Sequence, residues 1–170
     1  APSNELSKAY KVARLARWVV GESAADEEGQ PTFKVLGQAP AIASANQIVI
    51  LVRKGKENAD GFDVIAIDGR VNAFGGGKFL FVNAAQVDIA GRVGEEKFVV
   101  LPGAHQMIKP KVDGGKRSAH AMFYFRKEKE ARPFFSSRWP VGGKARSMIF
   151  LYHDPATKRL RMHTIRDFLP

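Results

Sequence analysis

From Pro31 to Asp167 the chain is a succession of short apolar, β-branched segments recurring every 8 to 15 residues, each closed by Gly, Pro, Asn or Asp. That spacing constrains the fold more than any other feature. A helix that packs on a core shows apolar residues every three or four positions over at least 10 to 12 residues, and the intervals here leave no room for one. The segments are FKVLG (Phe33–Gly37), QIVILVRK (Gln47–Lys54), FDVIAID (Phe62–Asp68), KFLFVN (Lys78–Asn83), VDIAG (Val87–Gly91), KFVVL (Lys97–Leu101) and HQMIK (His105–Lys109). AHAMFYFRK (Ala119–Lys127), RSMIFLYHD (Arg146–Asp154) and KRLRMHTIRD (Lys158–Asp167) follow, with PFFSSRW (Pro133–Trp139) as a short strand or edge segment. In RLRMHTI the arginines and His163 alternate with Leu160, Met162 and Thr164, the period-2 pattern of a sheet with one wet face.

A parallel α/β sheet needs crossover helices, and these connections are too short for them. The expected class is therefore all-β: an antiparallel, immunoglobulin-like β-sandwich of about 8–11 short strands, with at most one short N-terminal helix. A length of 170 residues points to a single domain spanning 1–170. Within it, residues 1–10 read as an irregular or helical lead-in, a strand is expected to start near Val12, and the acidic, proline-closed stretch 21–31 (GESAADEEGQP) reads as an exposed loop.

Charge is distributed unevenly. Residues 1–108 hold 12 Lys+Arg against 12 Asp+Glu, whereas residues 109–170 hold 15 against 5 and so carry the whole net charge of +10. A basic third of this kind attracts an acidic partner such as nucleic acid, an anionic surface or an acidic glycan. Cysteine is absent, which removes disulfides, thiol catalysis and thiolate metal sites. No apolar run approaches the ~20 residues of a membrane-spanning helix.

Catalytic motifs are sparse. Gly75-Gly76-Gly77-Lys78 has the glycines and lysine of a phosphate loop, but Phe79 stands where Ser or Thr would bind magnesium, and a strand follows instead of a helix. Its glycines are better read as giving conformational freedom before a buried strand, or room for a passing backbone. No G-x-S-x-G elbow exists, and Ser136, Ser137 and Ser147 pair with no histidine by sequence logic. His105, His120, His153 and His163 lack metal-ligand spacing. If the last two strands form a hairpin across the D-P-A-T turn, facing residue numbers sum to about 311, which sets His163 opposite Met148 and away from His153. Neither a metal nor a cofactor is expected.

The stretch AMFYFRKEKEARPFFSSRW combines aromatic and basic residues, as single-strand nucleic-acid binders do. Its residues also suit a sandwich core, because the aromatics fall on both sides of their strand. The candidate binding residues are Tyr124, Arg126, Lys127, Arg132, Arg138, Trp139, Lys144 and Arg146.

Phe79–Pro110, with V-N-A before a short strand, a glycine turn and an L-P-G-x-H step, resembles exported bacterial β-sandwich proteins that have no assigned activity. The ending, with its S-R-W segment, basic turn and D-P-A-T turn, is similar to the close of such chains. The resemblance covers about half of the protein. It implies a periplasmic or cell-surface location, which the Ala1-Pro2 start of a chain freed from a signal peptide would fit. It carries over no functional residue. Within the motif, Pro102-Gly103 reads as a turn with Gly103 at positive φ, and Asn83 as a bulge or left-handed cap at a strand end. The resulting expectation is a non-enzymatic binding or structural module that meets an acidic envelope polymer or acidic protein through its basic third. A single-stranded nucleic-acid-binding barrel and a hydrolase with dispersed catalytic residues are the alternatives.

Overall fold

The structure is a computed structural model that describes residues 5–54, 61–111, 116–127 and 130–169. Twelve strands and no helix are present among them, so the all-β expectation holds, with one strand more than its upper bound. Of the lead-in, residues 1–4 lie outside the described residues and 5–10 are irregular, one of the two expected forms; no strand starts at Val12, and among the described residues regular structure begins at Arg17. The strands cluster into two compact units, one spanning 9–73 and the other formed mainly by 74–170.

The unit 9–73 consists of two antiparallel hairpins. The first joins β1 (Arg17–Ala25) to β2 (Pro31–Pro40), and the second joins β3 (Gln47–Arg53) to β4 (Phe62–Asp68). Most of the stretch expected to be an exposed acidic loop is thus strand: residues 21–25 pair with 31–35, and only Asp26–Gln30 turn. Backbone ladders tolerate polar side chains when both faces are wet, and the mostly exposed burial pattern of β1 and β2 shows that they are. The Asp26 carboxylate accepts from the N–H groups of Glu28 and Gln30 at 3.0 and 2.8 Å, and Gly29 takes φ 78°, which together close the turn. Trp18 Nε1 donates to Gln47 Oε1 at 2.8 Å, tying β1 to β3.

The other unit is the sandwich. Its strands are β5 (Phe79–Asn83), β6 (Ile89–Val93), β7 (Glu96–Val100), β8 (His105–Ile108), β9 (Ser118–Lys127), β10 (Glu130–Pro140), β11 (Ala145–His153) and β12 (Leu160–Phe168). One sheet has the order β10-β9-β6-β7 and the other β12-β11-β5-β8. Every pairing is antiparallel except β5 with β11, which run parallel. A single apolar cluster joins the two sheets, with Phe79, Phe81, Ile149 and Leu151 from one and Ile89, Val93, Phe98, Ala121 and Phe123 from the other. Phe81 stacks on Phe98 at 4.2 Å between ring centroids and meets Phe123 edge-on at 5.6 Å. Gly91 makes this possible, because a Cβ there would fall on the Phe98 and Phe123 rings.

The glycine run is structural, as its following strand suggested. Gly77 takes φ 74° and donates to Ala145 O at 2.8 Å, while Lys78 O accepts from Ser147 N–H at 3.1 Å. A Cβ on Gly76 would meet the Gly143 carbonyl oxygen. Two glycine segments therefore cross backbone to backbone where β5 and β11 begin. Pro102-Gly103 turns as expected, with Gly103 at φ 72°.

Asn83 differs from its expected bulge or left-handed cap. It is a regular last residue of β5, fully buried, and it ties the sheet end together through its side chain. Its Nδ2 donates to Val87 O and Val100 O at 2.9 and 2.8 Å, and its Oδ1 accepts from Ala85 N–H at 2.9 Å. The β11–β12 register also differs from the expected sum of about 311. Phe150 faces His163 and His153 faces Leu160, a sum of 313, because the loop 154–159 holds more residues than a three-to-five-residue turn. A shift of two in the sum keeps every side chain on its face, and the two histidines remain apart.

Candidate functional site

The sequence singled out eight residues, and the strand register sorts them. Ala119, Ala121 and Phe123 point inward from β9, so His120, Met122, Tyr124 and Arg126 point outward. On β10 the residues facing these are Arg138, Ser136, Pro133 and Ala131, with Phe134 as an extra residue where the register shifts. On β6, Arg92 faces Met122 and Ala90 faces Tyr124; on β7, Lys97 faces Arg92 and Val99 faces Ala90. One outward face therefore gathers Tyr124, Arg126 and Arg138 with Arg92, Lys97, His120 and Ser136.

Arg126, Arg138, Arg92 and Lys97 are exposed, and none forms an ion pair among the described residues. Along the strands, rows of same-face residues recur at ~7 Å, so Arg126 and the Arg138–His120 row stand about 20 Å apart. The backbone carbonyl of Asp88, the residue before β6, accepts from Arg126 N–H at 3.2 Å. In the middle of the face the Tyr124 hydroxyl and Arg92 Nη2 approach Met122 Sδ at 3.7 and 3.9 Å. Ser136 Oγ and His120 Nε2 lie 3.0 Å apart, a pairing of a hydroxyl with an imidazole that sequence logic alone did not find.

The remaining five go elsewhere. Trp139 packs into the aromatic core, 5.2 Å from Phe123, 5.6 Å from Phe79 and 5.7 Å from Phe135 between centroids. Arg146 is 7% exposed. Its Nε donates to Asp167 at 2.7 Å, its Nη1 to Phe74 O at 2.9 Å, and its guanidinium lies 5.0 Å over the Phe74 ring, so it is a fastening between β11, β12 and the start of the unit. Arg132 faces Phe125, on the opposite side from Tyr124 and Arg126, and bonds Glu130 at 3.2 Å. Lys144 is exposed in the turn between β10 and β11, past the Arg138 end of the face. Lys127 closes β9 opposite Glu130.

Arg92 and Lys97 were missed by counting charge along the chain, where Glu95 and Glu96 cancel them. The usable signal was the G-E turn. Gly94 at φ 61° begins a two-residue hairpin with the pattern of a type II′ turn, and that turn fixes Arg92 opposite Lys97.

Among the described residues no group of three or more His, Asp or Glu side chains is placed to hold a metal ion. No described helix is long and apolar enough to cross a membrane. No protein-family model matches this chain, and no curated protein matches it.

Proposed function

We propose that this protein is a non-enzymatic binding module that takes an acidic glycan strand on the outward face of the sheet β10-β9-β6-β7. The observation that carries the reading is the arrangement of Arg92, Lys97, Arg126 and Arg138. Four exposed cations without ion pairs among the described residues share one sheet face over about 20 Å. A single small anion cannot engage all four, whereas an extended polyanion can. Tyr124, His120 and Ser136 add hydroxyl and ring surface suited to sugars.

Single-stranded nucleic acid is the weaker fit. Stacking of successive bases needs several free aromatic faces, and here Phe123 and Trp139 are used inside, leaving Tyr124 on the face. An exported location accords with the resemblance carried by Phe79–Pro110 and with an envelope polymer as ligand.

Retention on immobilised heparin, a sulfated glycan, tests the reading. Affinity is expected to fall about tenfold or more between 50 and 300 mM salt, and to fall further in the double variant Arg126→Glu/Arg138→Glu. Retention unchanged by salt overturns the proposal, and tighter binding of polyglutamate or of an oligonucleotide moves the partner to that class.

A further inference from the structure

Arg92 and Lys97 are direct partners across the β6–β7 ladder and project from the same face. Directly opposed like charges destabilise an antiparallel pair, because the two Cβ atoms stand only about 5 Å apart. No carboxylate among the described residues ion-pairs with either side chain. Glu95 lies in the turn, and Glu96 faces Val93 on the inward-pointing set. In the adjoining row Arg138 stands directly opposite His120, whose imidazole lies 3.0 Å from the Ser136 hydroxyl. The hairpin thus keeps a like-charge contact where a Glu at 97 would make an ion pair.

We infer that Arg92 and Lys97 form a seat for one anionic group of the bound polymer, and that Arg138, His120 and Ser136 take the neighbouring group. The inference rests on the glycan-binding reading and adds a place and a direction to it. The polymer crosses the strands obliquely from β10 toward β7, within about 15 Å, and its continuation along the face is left to Arg126. The anion relieves the repulsion between Arg92 and Lys97, so binding and strand stability are coupled at this pair.

The test compares Lys97→Glu with Lys109→Glu, the same charge change at an exposed lysine outside this sheet. Melting temperature without ligand and heparin affinity at fixed salt are measured for both. Lys97→Glu is expected to melt ~1–4 °C above the wild type, since repulsion becomes attraction, and to bind heparin about tenfold more weakly. Lys109→Glu is expected to melt within about a degree of wild type and to bind within about twofold. If Lys97→Glu melts at or below the wild-type temperature, or does not fold, the like-charge argument is overturned. If wild type binds heparin and Lys97→Glu binds it as tightly as Lys109→Glu does, the seat is overturned while the broader reading stands. A wild type that does not bind heparin overturns both.

Discussion

The two units of the chain are built from the same element, the antiparallel hairpin, yet they hold together differently. Among the described residues, 18 apolar residues are buried in the sandwich and four in the unit 9–73, Ala39, Ile48, Ile50 and Ile67. Charge divides in the same way. Residues 74–170 carry 18 Lys+Arg against 8 Asp+Glu, and residues 9–73 carry 8 against 8. The unit with the deep core also carries, on one face, four exposed cations without ion pairs among the described residues. A sheet stabilised by an aromatic interior tolerates repulsion on its exterior, whereas a pair of thinly buried hairpins has little to set against it.

The sharpest way to break this comparison is to delete a phenylalanine from each unit. Phe81→Ala removes the ring that contacts Phe98, Phe123 and Trp139, and should cost ~3–5 kcal/mol in urea denaturation. Phe33→Ala removes a side chain that is 53% exposed on β2, and should cost less than ~1 kcal/mol. Equal losses would mean that the thin unit depends on its exposed face as much as the sandwich depends on its core.

A pair of glycines gives the next effect. Gly76→Ala drives a Cβ into the Gly143 carbonyl, and backbone has to move, at about 3 kcal/mol. Gly29→Ala meets no atom within 4 Å, and pays only for an L-residue at φ 78°, about 1 kcal/mol. Thermal melts of the two variants resolve that difference.

The smallest effect concerns acid. Among the described residues each unit holds one carboxylate below the ordinary aspartate range, by different means. Asp68 is lowered chiefly by the Arg70 guanidinium, which donates to both its oxygens. Asp154 is lowered chiefly by the backbone N–H of Thr157 and then that of Ala156. A depressed folded pKa gives stability that is complete above the unfolded value of about 3.9 and is lost as pH falls from there through the folded value. Amide chemical shifts of Ala156 and Thr157 should therefore move on acidification below about pH 4. Shifts around Asp68 should respond as well to added salt, because its main partner is a charged side chain.

The strand series was readable in the sequence because buried segments such as FLFVN and QIVILVR are dense in apolar residues and end at turn formers. Pro102-Gly103 and the glycine run were readable for the same reason. The β1–β2 hairpin was readable only in part: FKVLG falls within β2 as expected, but GESAA has neither alternation nor apolar density, and its strand state comes from the ladder with β2. Within the site, Tyr124, Arg126 and Arg138 were readable as types but not as a set. Which side of a strand a residue takes depends on register, and the extra residue Phe134 in β10 shifts it midway. For that reason Trp139 went to the interior, while Arg146, on β11, went to a partly buried ion pair with Asp167.

The parallel pairing of β5 with β11 also governs the order in which the sandwich can be made. Phe79–Asn83 waits for Ser147–Leu151 as its sheet partner, so a chain emerging from its N-terminus exposes FLFVN with one flank unpaired until more than sixty further residues have followed. Pairing at such sequence separation is slow. For that interval the nascent chain carries an open, strongly apolar strand, and escape from aggregation depends on how quickly the last third arrives.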